Sequence, residues 1–113
     1  AMPYPSLKDD GRCVVLDLHG ARVEEALALA LRVVAAAQSR GRAQVQLIHG
    51  SSTTDAYGLR RTIKQALHQA LKEGRFAPYV TQALTTDAAL ILSLDVTARP
   101  DPQRLQLAEL WPR

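Results

Sequence analysis

The chain reads as an α/β (α+β) domain: a two-layer βαβαββ sandwich with a mixed four-stranded sheet, two main helices and a short C-terminal helix. Three observations predict this architecture. Two apolar runs, residues 12–19 and 43–48, each lead into a segment with helical periodicity, the β-then-α alternation of a sheet with crossover helices. Two further strand-like runs, "PYVTQAL" and "AALILSLDV", follow with only a polar turn between them. Finally, two helices are too few to cover both faces of a sheet, so the helices are expected on one side.

Each element has its own local reason. Residues 2–11 are polar and aperiodic and read as a loose arm; Ala1, ahead of Met2, reads as a cloning remnant. Val14, Val15, Leu16 and Leu18 make the first strand nearly continuous in apolar side chains, and Gly20 ends it. From Arg22 to Arg40, the residues Val23, Ala26, Leu27, Ala30, Leu31 and Val34 recur at three- and four-residue spacing. Glu24 and Glu25 in the first turn suit the helix dipole, and Gly41 is a natural cap. After the second strand, "SSTTD" offers turn and N-cap chemistry, and a second helix is expected over 56–73 with Gly74 closing it. Its stripe is Leu59, Ile63, Ala66, Leu67, Ala70 and Leu71. Past Pro100, Asp101 and Pro102 open a short helix expected to dock through Leu105, Leu110 and Trp111. The organisation is then an arm (1–11), one domain (12–97) and a tail (98–113).

At 113 residues the chain is long enough to bury a core without staples. Cys13 is the sole cysteine, which excludes an internal disulfide and a thiolate metal cage and suggests a small core side chain. No apolar stretch approaches a membrane span, and the cytoplasm is the default compartment. Charge is unevenly placed. The net +3 conceals a basic segment over residues 40–75, where Arg40, Arg42, Arg60, Arg61, Lys64, Lys72 and Arg75 face only Asp55 and Glu73. That concentration suits a polyanion or phosphate, and equally suits a solvated helix face.

The strand endings carry the candidate chemistry. "LDLHG" and "IHG" place Asp17, His19 and His49 at the ends of two strands, with Gly20 and Gly50 behind them. Asp17 and His19, two apart, share a face. If the strands are parallel neighbours, all three side chains are expected to gather along one sheet edge, where open α/β sheets bind ligands beside helix N-termini. A carboxylate next to an imidazole fixes its tautomer and raises its basicity; a second imidazole can serve as partner acid or hold a phosphate oxygen. With Arg60, Arg61 and Lys64 following, phosphodiester hydrolysis is one reading and anion binding without chemistry the other. Structural readings stand beside these: a strand-end histidine can be a turn residue, Tyr57 a packing residue, and His68, in the row Arg60, Lys64, His68, Lys72, a surface residue.

"LDLHG" followed by "EEAL", then "IHG" and "GLR" opening the second helix, resembles the Smr (small MutS-related) domain over residues 12–95. The resemblance implies a two-layer βαβαββ sandwich, nucleic-acid (DNA or RNA) binding, and an endonuclease that nicks DNA or cleaves RNA. It implies that Asp17 and His19 occupy first-motif positions tied to cleavage, and that His49 and Gly50 begin a second motif whose loop faces the phosphate backbone. In that loop the family carries a basic residue and a second glycine where this chain has Ser51 and Ser52. The glycine-rich turn between the last two strands is replaced by "LTTDAALI". Hydroxyls and backbone N–H groups remain to hold a phosphate. Asp17 with one or two histidines is too sparse a set to name a metal, with Mg²⁺ or Mn²⁺ the candidates for cleavage. The alternative reading is an inactive binding or protein-interaction module.

Overall fold

A computed structural model of the chain describes residues 5–51 and 61–111. The elements run β1 (Ser6–Asp9), β2 (Cys13–Asp17), α1 (Val23–Ser39), β3 (Gln44–Ile48), α2 (Ile63–Lys72), β4 (Val80–Thr85), β5 (Ala89–Leu94) and α3 (Leu107–Leu110). The expected β-α-β-α-β-β order is present, with one strand more than expected. Ser6–Asp9, read as loose arm, pairs antiparallel with β2, so the sheet has five strands in the order β1-β2-β3-β5-β4. "SLKD" has little strand character of its own; it is held by the ladder to β2 and by Asp9, described below.

β2 and β3 are parallel neighbours, in register from Cys13 opposite Gln44 to Asp17 opposite Ile48. α1 makes the crossover between them and α2 follows β3. β5 then pairs antiparallel with β3 and with β4, closing a hairpin at Thr86, whose N–H donates to the Ala89 carbonyl at 2.9 Å.

Strand alternation sorts the two faces of the sheet. Val14, Leu16 and Leu18, with Val45 and Leu47 and with Leu90, Leu92 and Leu94, point at the helices and are buried. Their strand neighbours form the opposite face, which registers across the sheet as Lys8–Val15–Gln46–Ile91–Leu84 and Ser6–Asp17–Ile48–Ala89. α1 contacts β2, β3, α2 and α3, so the helices make one layer and the sheet the other. Among the described residues no helix is long and apolar enough to cross a membrane.

The helices differ from expectation in detail. The fully buried line of α1 is Ala26, Leu29, Ala30, Val33, Val34 and Ala37, while Val23, Leu27 and Leu31 only flank it. An alanine-rich helix that is apolar on several sides does not fix its own rotation. α2 begins at Ile63, not near residue 56: Arg61 and Thr62 are outside the helix, and Thr62 caps it. Thr62 Oγ1 accepts from the Gln65 N–H at 3.3 Å, and Gln65 Oε1 accepts from the Thr62 N–H at 2.9 Å. This capping box lies later in the chain than the "SSTTD" caps, whose residues Ser52–Asp55 lie outside the described residues together with Tyr57, Leu59 and Arg60. At the C-terminus Asp101 caps no helix; its Oδ1 accepts from the Gln103 N–H at 2.8 Å in a turn. Helix forms only over Leu107–Leu110, and Leu105, Leu110 and Trp111 pack against the core as expected.

Arg42, expected in the basic patch, is fully buried. Its guanidinium donates to Asp9 Oδ1 at 2.8 Å and Oδ2 at 3.0 Å, and to the carbonyls of Arg40, Asp101 and Gln103. Asp9 Oδ2 also accepts from the Leu105 N–H at 2.8 Å. One ion pair thus joins β1, the start of β3 and the C-terminal tail.

Candidate functional site

At the C-terminal end of β2 the chain leaves the sheet through Leu18, whose N–H still bonds the Ile48 carbonyl at 2.7 Å. Leu18 points into the core, so its neighbours Asp17 and His19 point away from it, on the face without helices. Asp17 Oδ1 accepts from the His19 backbone N–H at 3.1 Å and from the ring Nδ1. That second contact fixes the Nδ1–H tautomer and puts the basic lone pair on Nε2. The His19 side chain is 58% exposed and the Asp17 side chain 28%, so the imidazole is the more exposed of the two and the carboxylate supports it from below.

Gly50 completes this side of the edge. Its φ is +86°, a conformation L-residues seldom adopt, and a Cβ placed there would stand 3.7 Å from His19 Cβ. The Gly50 backbone therefore lies beside the base of the His19 side chain. Gly20 also has positive φ, +82°, and Ser51, next to Gly50, is exposed.

His49 does not join this group. In the β2–β3 register it lies level with Leu18, so its side chain turns toward the helices and is 6% exposed. The expected gathering of Asp17, His19 and His49 fails for a simple reason: the two His-Gly endings differ by one residue in register, and one residue reverses the face. His49 Nδ1 donates to the Gly50 carbonyl at 2.6 Å. Its ring meets that of His68 edge to face, centroids 5.7 Å apart. His68, expected on the surface, comes from α2 into this contact, and Nε2 of each ring is buried without a hydrogen-bond partner. Burial pushes the His49 pKa below 6.5, and His68 and Lys64 push it the same way against the Gly50 carbonyl.

Three cations of the basic segment are held in ion pairs. Arg40 pairs with Glu109 at 3.2 Å and Arg42 with Asp9. Lys64 Nζ reaches Asp87 Oδ1 at 3.2 Å, on the helix side near His49. Arg61, Lys72 and Arg75 are exposed. Arg60 and Ser52 lie outside the described residues. Cys13 is half-buried on the helix-free face, not in the core: its Sγ donates to Gln44 Oε1 at 3.3 Å and burial raises its pKa. Among the described residues no three His, Cys, Asp or Glu side chains come together as a metal-holding group.

A one-sided five-stranded sheet with an acid–imidazole couple and a glycine at its C-terminal edge defines a small α+β domain. Residues 16–88 match the family model of the Smr domain, and the chain belongs to this family. Smr domains are generally nucleic-acid-binding, nuclease-like domains. No curated protein and no solved structure matches the chain.

Proposed function

We propose that this Smr domain binds nucleic acid across the C-terminal sheet edge and cleaves it as an endonuclease, with His19 as general base and Asp17 as its orienting partner. One observation carries the reading: a single Asp17 carboxylate oxygen holds both the backbone and the ring of His19, on the open face and at the edge. A structural turn needs only the backbone contact.

In the hydrolysis, His19 Nε2 takes a proton from water as the water oxygen bonds to phosphorus. The bond from phosphorus to the leaving ester oxygen breaks, and that oxygen takes up a proton, from the imidazolium or from solvent. The Asp17 carboxylate stabilises the imidazolium without itself taking the proton. Gly50 and Ser51 offer backbone and hydroxyl groups beside the imidazole to a phosphate, and Gly20 gives the backbone turn that follows it. Exposed Arg61 supplies a cation near α2, as would Arg60. From the helix side His49 fixes the Gly50 carbonyl, and Lys64, paired with Asp87, adds positive charge near His49. A Mg²⁺ or Mn²⁺ ion fits as a substrate-carried ion, since Asp17 offers one carboxylate and these ions commonly combine one or two carboxylates with phosphate oxygens. Such an ion would supply charge neutralisation at the phosphate.

Cleavage of supercoiled plasmid and of a structured RNA by the parent, Asp17→Asn and His19→Ala proteins tests this. General-base catalysis contributes about 10²–10⁴-fold, and His19→Ala is expected to lose activity in that range. Equal cutting by parent and variants would end the catalytic claim. Salt-sensitive binding without cutting by any of them would establish the inactive binding module instead.

A further inference from the structure

Gly50 is held at both of its polar groups. Its N–H donates to the Ala88 carbonyl at 3.1 Å, beside the His49 N–H at 2.9 Å, which ties it to the turn between β4 and β5. Its carbonyl accepts from His49 Nδ1 at 2.6 Å. The His49 ring is itself buried and braced edge to face by the ring of His68 from α2. Glycine at φ +86° has no side chain to keep the following peptide from turning over, so the imidazole contact decides which way the Gly50–Ser51 peptide faces. A trans peptide is planar, with its C=O and N–H pointing in opposite directions. With the Gly50 carbonyl turned to His49 on the helix side, the Ser51 N–H turns away from the helices, toward the face that carries Asp17 and His19. Ser51 is exposed, and among the described residues its N–H meets no acceptor.

We infer that His49 is a positioning residue, braced by His68 so that its hold on the Gly50 carbonyl aims the Ser51 N–H at a phosphate oxygen bound beside His19. The inference rests on the proposed nucleic-acid reading and gives the second His-Gly ending its part in it. Because the Gly50 N–H is committed to Ala88, the Ser51 N–H is the backbone donor that this turn has left for an anion. An N–H on a phosphate oxygen is a charge-assisted hydrogen bond, stronger than one between neutral groups. The reversed peptide would instead present the Gly50 carbonyl oxygen, whose partial negative charge repels the phosphate. The imidazole thus selects the attractive orientation over the repulsive one before substrate arrives, and the backbone has no reorganisation left to make. His49 does this from the helix side, without touching the phosphate.

The test compares the parent, His49→Asn, His49→Gln and His49→Leu proteins, each as the full chain, by fluorescence anisotropy in EDTA with a labelled structured RNA and a labelled DNA duplex. Asparagine carries its amide nitrogen as many bonds from the backbone as Nδ1 and keeps the donor; it is expected to restore parental affinity. Glutamine carries its nitrogen one bond further out and leucine has none. Both are expected to bind about tenfold more weakly, the loss of one hydrogen bond to a charged group. Asparagine and glutamine alike give up the ring contact with His68, so their urea midpoints are expected to fall together while their affinities part. Equal affinity in the Asn and Gln variants, whether parental or reduced, would overturn the positioning role and leave nucleic-acid binding intact. Binding of neither probe by the parent would overturn both readings.

Discussion

His49 shows how one residue of register turns a candidate catalyst into a structural part. Facing His68 and Lys64 in a nearly dry contact, it resists protonation, and its pKa is lowered from 6.5 chiefly by burial. The unfolded chain takes that proton at higher pH than the folded one. Stability is therefore unaffected above about pH 7, and falls as pH drops below the unfolded value near 6.5 until the folded pKa is reached. Melting temperatures at about pH 7.5 and 5.5 should show a drop in the parent that is smaller in His49→Asn; an equal drop would assign the effect to other groups. The sequence carried the Asp17–His19 couple openly, because residues two apart on a strand share a face whatever the rest of the fold does. The partnership of His49 with His68 was hidden, since its helical spacing in the row Lys64, His68, Lys72 resembles a solvated face. The one signal for it is the place of His68 beside buried Leu67 on a helix with a narrow apolar stripe.

Among the elements, α2 depends on its first turn. It has ten residues, and its N-terminus is secured by the reciprocal Thr62–Gln65 box. Thr62→Ala should cost about 1 kcal/mol, read as a lower urea midpoint with unchanged slope; no change would mean the box adds nothing to the fold. α1 ends differently. Gly41 has φ +74°, and a Cβ there would meet the Arg99 carbonyl oxygen at 2.6 Å and that of Ala98 at 2.7 Å. Gly41→Ala combines backbone strain with a collision against the returning tail, so a loss above the ~1 kcal/mol of a simple left-handed penalty is expected, again by urea titration. Gly41 as a helix stop was legible in the sequence, as were α1, the parallel β2–β3 pair and the β4–β5 hairpin. The start of α2 was not, because several Ser, Thr and Asp residues compete for one cap and only tertiary packing chooses among them.

For the whole molecule, the Asp9–Arg42 pair is what makes the ends of the chain part of the fold. Both side chains are fully buried. Burial alone would raise the Asp9 pKa, but hydrogen bonds from Arg42, Leu105 and Gly11 hold it below its usual value. Breaking such a pair by Arg42→Ala should cost about 3–5 kcal/mol, while Arg40→Ala, at a largely surface pair, should cost under about 1 kcal/mol. The fifth strand went unread in the sequence for the same reason: Ser6–Asp9 has no apolar pattern, and its place is set by an arginine far along the chain. The layered design leaves one sheet face to the helices and the other to Asp17 and His19. The most direct test of that division compares cleavage rates of His19→Ala and His49→Asn proteins at a pH where both are folded. The account predicts a loss of about 10²–10⁴-fold for His19→Ala and near-parental cutting, with lower stability, for His49→Asn. Equal losses in the two would show that both imidazoles act on the phosphate, and would contradict a catalytic site confined to the open face.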